Sequence, residues 1–171
     1  MKKILLILTV AFACAFGAKA QKFALVDMDY VLRNVPAYEM ANEQLNQVSQ
    51  RWEKEVTELA KEAEKLYKNY QSEMVFLTDE QKKKREEEIV AKEKEVTDLK
   101  YKYFGPEGEL YKKRQSLMKP IQEEVYNAVK KVAEEKGYQV IFDRASSQSI
   151  VFASPRIDVS NEVLAKLGYS R

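Results

Sequence analysis

The sequence predicts an α+β protein: a long antiparallel helical hairpin joined to a small β body that only association of several copies completes. Three observations carry this. Apolar residues recur at gaps of three and four through much of residues 38–132, the spacing of one helix face. Short apolar runs at Phe23–Val26, Tyr138–Asp143 and Ile150–Ala153 flank that region and read as strands. The exported part of the chain holds neither Cys nor His, so packing or association must hold it together.

The first twenty residues set the compartment. Met1-Lys2-Lys3 is a short basic start, Ile4–Phe16 is apolar, and Ala18-Lys19-Ala20 places small residues at the cleavage-determining positions. This is a secretory signal peptide cut after Ala20, and a mainly apolar run of thirteen residues falls short of the ~20 that span a bilayer. Cys14 is preceded by Phe12 and Ala13, a poor lipidation context. The expected location is the periplasm. Removing Lys2, Lys3 and Lys19 from 29 basic residues leaves 26 against 27 acidic ones, so the formal +2 becomes −1. A general nucleic-acid surface is not indicated. Without Cys or His, the mature chain has no disulfides, thiol nucleophiles, His-based triads or ordinary zinc sites.

The elements follow in order. Phe23-Ala24-Leu25-Val26 is a strand expected to be buried on both faces. Asn34-Val35-Pro36 punctuates, and a long helix begins, its stripe running from Tyr38 through Trp52 and Tyr70 to Leu77. The steps average about 3.55 residues, between the coiled-coil and free-helix repeats, so the helix should be nearly straight. Thr78 with Gln81 three residues on fits a capping box and starts the return helix. Its stripe runs through Ile89, Val96, Leu99 and Tyr103, then resumes in phase at Leu110 and continues to Val132. Two long helices with a short polar turn make an antiparallel hairpin over 37–136, its tip near 78–82. Gly137 closes the second helix, two strands follow, and Asp158 caps a last helix over Val159–Leu167, ended by Gly168.

Outside the hairpin stand residues 21–36 and 137–171, 51 in all, fewer than the ~70–80 at which an unstapled core supports itself. Apolar strands need covering, and their edges need partners. Association through the strand region, with Phe23, Leu25, Val140, Phe142 and Val151 building a joined body, meets both needs.

The order strand, helical hairpin, Gly137-Tyr138-Gln139-Val140-Ile141-Phe142-Asp143, second strand, then Asp158-Val159-Ser160 leading to Val163-Leu164 and Leu167-Gly168 resembles the Skp/OmpH family of periplasmic chaperones. The resemblance covers the whole mature chain and rests on the order of elements. It implies a homotrimer in which a β body carries three helical arms around a cavity. It also implies an ATP-independent holdase for unfolded outer-membrane β-barrel proteins, needing no cofactor. A periplasmic coiled-coil spacer binding one folded partner is the alternative.

Several motifs need weighing against that frame. Asp27-Met28-Asp29 after an apolar strand resembles the first motif of haloacid-dehalogenase-type phosphatases. The chain has no adjacent Asp-Asp pair for magnesium and too few strands to carry that chemistry, so no catalytic and no metal residues are assigned. Gly105-Pro106-Glu107-Gly108 would cost a continuous helix roughly 5 kcal/mol, and it lacks the spacing and preceding strand of a phosphate loop. Gly105 is expected to end one helix and Pro106 to open the next, with Glu109 pairing Lys113. Gly105, Pro106 and Gly108 then form a joint in the arm. Lys82, Lys83, Lys84 and Arg85 at the tip offer a weak contact to an anionic membrane surface. Glu86-Glu87-Glu88 follows at once, with the i,i+4 spacing that self-pairs such a cluster. Tyr67 and Tyr101 lie off the packing stripe and are candidate client contacts.

Overall fold

The computed structural model describes residues 22–147 and 149–169; the expected signal peptide and Cys14 lie outside them. The elements are β1 (Phe23–Val26), α1 (Met28–Arg33), α2 (Pro36–Glu73), a 3-10 turn (Met74–Phe76), α3 (Asp79–Phe104), α4 (Glu109–Lys136), β2 (Val140–Asp143), a 3-10 turn (Pro155–Ile157) and α5 (Ser160–Lys166). Over its described residues the chain forms two compact units, one from residues 22–35 and 124–169 and the other Pro36–Glu123. No helix among the described residues is long and apolar enough to cross a membrane.

Pro36–Glu123 holds the hairpin. Pro36 opens α2 at the position where its missing N–H has no helical partner to lose, and 38 residues make a helix of about 57 Å. The Thr78–Gln81 capping box is present in both directions: the Gln81 N–H donates to Oγ1 of Thr78, and the Thr78 N–H donates to Oε1 of Gln81. The helices run antiparallel, since Arg85 meets Glu73, Lys92 meets Glu62 and the Tyr103 hydroxyl donates to Glu55 at 2.6 Å. Only Ala41, Leu45 and Ala63 of α2 and Ile89 of α3 are buried. Two helices packed alone can cover only the narrow seam between them, so the rest of the stripe stays half-exposed. Met74, placed in that stripe by its spacing, is instead 43% exposed in the turn.

The interruption differs from the sequence expectation. Gly105 does cap α3, its N–H donating to the Tyr101 carbonyl at 2.8 Å. Pro106 does not open the next helix. Residues 105–108 form a turn closed by the Gly108 N–H on the Gly105 carbonyl, and α4 starts at Glu109, with the Lys112 N–H reaching the Gly108 carbonyl. Both glycines are there for room. A Cβ on Gly105 would lie 2.4 Å from the Tyr101 carbonyl oxygen, and one on Gly108 would lie 2.8 Å from that of Tyr103. The turn sets the following surface pair, too: Lys112, not Lys113, meets Glu109 at 3.2 Å.

The second unit is built on a two-stranded parallel sheet in which Phe23 pairs Val140 and Leu25 pairs Phe142. The far edge of β1 is taken by Asp158, and the Val159 N–H donates to the Leu25 carbonyl at 2.8 Å. The strand expected at Ile150–Ala153 is not formed: Asp158 fills the far edge of β1, and the segment has no ladder partner among the described residues. The strand expected from Tyr138 starts at Val140, and the last helix starts at Ser160 rather than Val159. Ala24, Val26, Val31, Val35, Val125, Val132, Val159 and Val163 are buried in this unit, and α1 packs on α5. Gly137 ends α4 as expected, the Tyr138 N–H closing on the Ala133 carbonyl.

Candidate functional site

Four of the five residues expected to build the joined body share one sheet face. Side chains alternate along a strand, so the register places Phe23, Leu25, Val140 and Phe142 together. Leu25 is buried, whereas Phe23, Val140 and Phe142 are 53%, 47% and 49% exposed. Phe23 and Phe142 meet edge to face at 6.5 Å between centroids. Over this face lies a groove of about 620 Å³, walled on its other side by the segment that includes Ile150, Val151 and Phe152. Val151 is almost fully exposed, and so is Phe152, which periodicity did not single out. β1 was expected to be buried on both faces; Phe23 is not, because nothing among the described residues covers it.

A polar cluster holds the other end of the sheet. Asp27 caps α1, accepting the Tyr30 N–H at 2.9 Å, and its second oxygen takes two bonds from Arg144, at 3.0 and 3.1 Å. Arg144 also reaches Asp158 at 3.3 Å. The Ser160 hydroxyl donates to Asp158 at 2.6 Å while accepting the Asp27 N–H at 2.8 Å. Asp143 accepts the Met28 and Ala145 N–H groups. The Tyr30 N–H bond pulls the Asp27 carboxyl below its ordinary range; partial burial opposes that and Arg144 adds to it. Asp27 thus ties α1, the loop after β2 and the approach to α5 together, while Asp29 sits exposed in the first turn of α1. The link of Arg144 and Ser160 to Asp27 carries no sequence signal, since Asp27 is more than a hundred positions from both.

On the hairpin, the interruption is flanked by a second aromatic cluster. Trp52 stacks on Tyr103 at 4.7 Å with a 5° tilt, Phe104 meets Tyr103 edge-on, and the Tyr103 hydroxyl is fixed by Glu55. Tyr67 and Tyr101 are 47% and 70% exposed. At the tip, the expected i,i+4 pairing of the basic run is absent: Lys82 meets Asp79, and Arg85 meets Glu88 and Glu73. Lys83 and Lys84 hold no ion pair among the described residues. The turn beside them exposes Met74, Val75 and Phe76; only the run of four apolar residues Met74–Leu77, where a helix face needs fewer, signals this in the sequence. Pro120 lies inside α4, where it removes the amide that would bond the Ser116 carbonyl.

The family model described as outer membrane protein (OmpH-like) matches residues 22–167. An uncharacterized protein of Aquifex aeolicus (strain VF5) is 28% identical over 167 residues, covering 98% of this chain and 96% of the relative. The fold matches the crystal structure of a candidate outer membrane chaperone (OmpH-like) from Caulobacter crescentus CB15. That match has a TM-score of 0.70 at 14% identity and covers 88% of this chain and 86% of the other. The chain belongs to the OmpH-like family of outer membrane proteins.

Proposed function

We propose that this protein is a periplasmic, ATP-independent holdase that keeps unfolded outer-membrane β-barrel proteins from aggregating, and that it works as a homotrimer. The observation that carries the reading is the uncovered apolar face of the sheet. Phe23, Phe142, Val151 and Phe152 stand exposed around a groove in a single copy, and Val140 is exposed beside Phe23. A contiguous apolar patch of this kind marks an interaction surface. Covering it with further copies gives β2 a partner for its outer edge and Ile150–Ala153 a sheet to join. Membership of the OmpH-like family and the match to an OmpH-like fold support the same reading.

The hairpin supplies the grip. Exposed aromatic side chains such as Tyr67 and Tyr101 present apolar rings with polar ends, suited to weak, adaptable contact with many sequences. Gly105, Pro106 and Gly108 serve as a joint, and Lys82–Arg85 provide a weak contact to an anionic surface. The signal peptide, cleaved after Ala20, delivers the chain to the periplasm. Residues 21–171 are expected to suppress light scattering when a barrel protein is diluted from urea, without nucleotide. Unchanged aggregation, together with stable binding of one folded periplasmic protein, would replace the holdase by a spacer.

A further inference from the structure

Three consecutive large apolar residues stand in the open in the turn after α2: Met74 at 43% exposure, Val75 at 76% and Phe76 at 85%. The hairpin does not need them there. Thr78 and Gln81 cap α3 by themselves, and a turn between helices is satisfied by polar residues.

What fits them follows from size and charge. A lasting interface with a folded partner or a second copy takes about 800 Å² from each side; three side chains fall well short of that. From Glu73 to Glu88 the chain carries six acidic residues and four basic ones, a formal −2. Three of the acids are held by Lys82 and Arg85, and the net negative charge leaves Lys83 and Lys84 only a weak contact to an anionic lipid surface. A short extended segment of polypeptide meets neither obstacle. A barrel strand presents an apolar side chain at every second residue, about 7 Å apart, so two of them cover a patch of this size. The Met74 thioether adapts to whichever side chains arrive.

We propose that Met74, Val75 and Phe76 form a gripping tip whose occupant is a short apolar or aromatic segment of an unfolded polypeptide. This rests on the holdase reading, and deepens it by naming where the client is held. The test replaces Val75→Ser and Phe76→Ser together, both exposed enough to leave the hairpin intact, with circular dichroism and native mass as folding checks. The probe is a urea-unfolded eight-stranded barrel protein. Its affinity for the double variant should fall about tenfold, a change of roughly 1.4 kcal/mol. A photo-crosslinking phenylalanine analogue at position 76 should capture the same client. Equal affinity in the double variant, or no cross-link from position 76, overturns the tip while leaving the holdase standing. A double variant that still holds client but no longer floats with phosphatidylglycerol-containing vesicles makes lipid the occupant and overturns it as well. A wild-type chain that holds no client removes both readings at once.

Discussion

Asp27 shows how much one side chain settles in so small a body. It leaves β1, caps α1 through the Tyr30 N–H and anchors Arg144, which in turn holds Asp158. Its carboxyl is held below the ordinary range, first by the Tyr30 N–H and then, against some burial, by Arg144. A depressed folded-state pKa contributes stability that is complete above the unfolded value of about 3.9 and is lost as pH falls through the folded value. Asp27→Asn keeps a good cap but gives up the charge. At neutral pH it should cost about 0.5–1 kcal/mol, the worth of a part-exposed pair. Thermal melts should therefore show the wild type losing stability more steeply than the variant as pH falls below about 4. Identical slopes would mean the pair contributes nothing. The sequence made the capping role legible, because a polar residue between an apolar strand and a helix acts locally. The Arg144 partner was not legible, lying 117 positions away.

At the scale of elements, what the sequence displayed was whatever neighbours in the chain decide. The Thr78–Gln81 box lies within four residues and was readable in full. The interruption was readable as a break but not as a turn, because Pro106 fits either a first helical position or a turn. What decides is the close approach of Gly105 and Gly108 to the carbonyls of Tyr101, Lys102 and Tyr103. Gly108→Ala must push a Cβ against three backbone atoms within 2.9 Å. It should cost about 1–3 kcal/mol, the range for overpacking, seen as an earlier urea midpoint in the helical signal at 222 nm. An unchanged midpoint would show that the turn yields without strain. The strand expected at Ile150–Ala153 failed for the opposite reason. Its residues have the right pattern, but pairing depends on which edge a segment reaches: Asp158 occupies the one that β1 offers, and the segment does not pair with β2.

At the scale of the whole molecule, the account rests on association. Val31, Val125 and Val163 are fully buried in one copy, so the unit has a core, yet its sheet keeps one apolar face in the open. The sequence showed this as a shortage: too few residues outside the hairpin and nothing to staple them. Which side chains form the face emerged from the parallel register, which no single run of residues reveals. The proposed number of copies, three, is what the sequence resemblance implies and not a product of the chain's own chemistry. The most direct test is the native mass of residues 21–171, measured for the wild type and for Phe142→Ser with Val151→Ser, before and after adding a barrel protein diluted from urea. The account predicts a trimeric wild type that takes up one client, and a double variant that falls to smaller species and holds none. A wild type that runs as a folded monomer, or a variant that assembles unchanged, would contradict it.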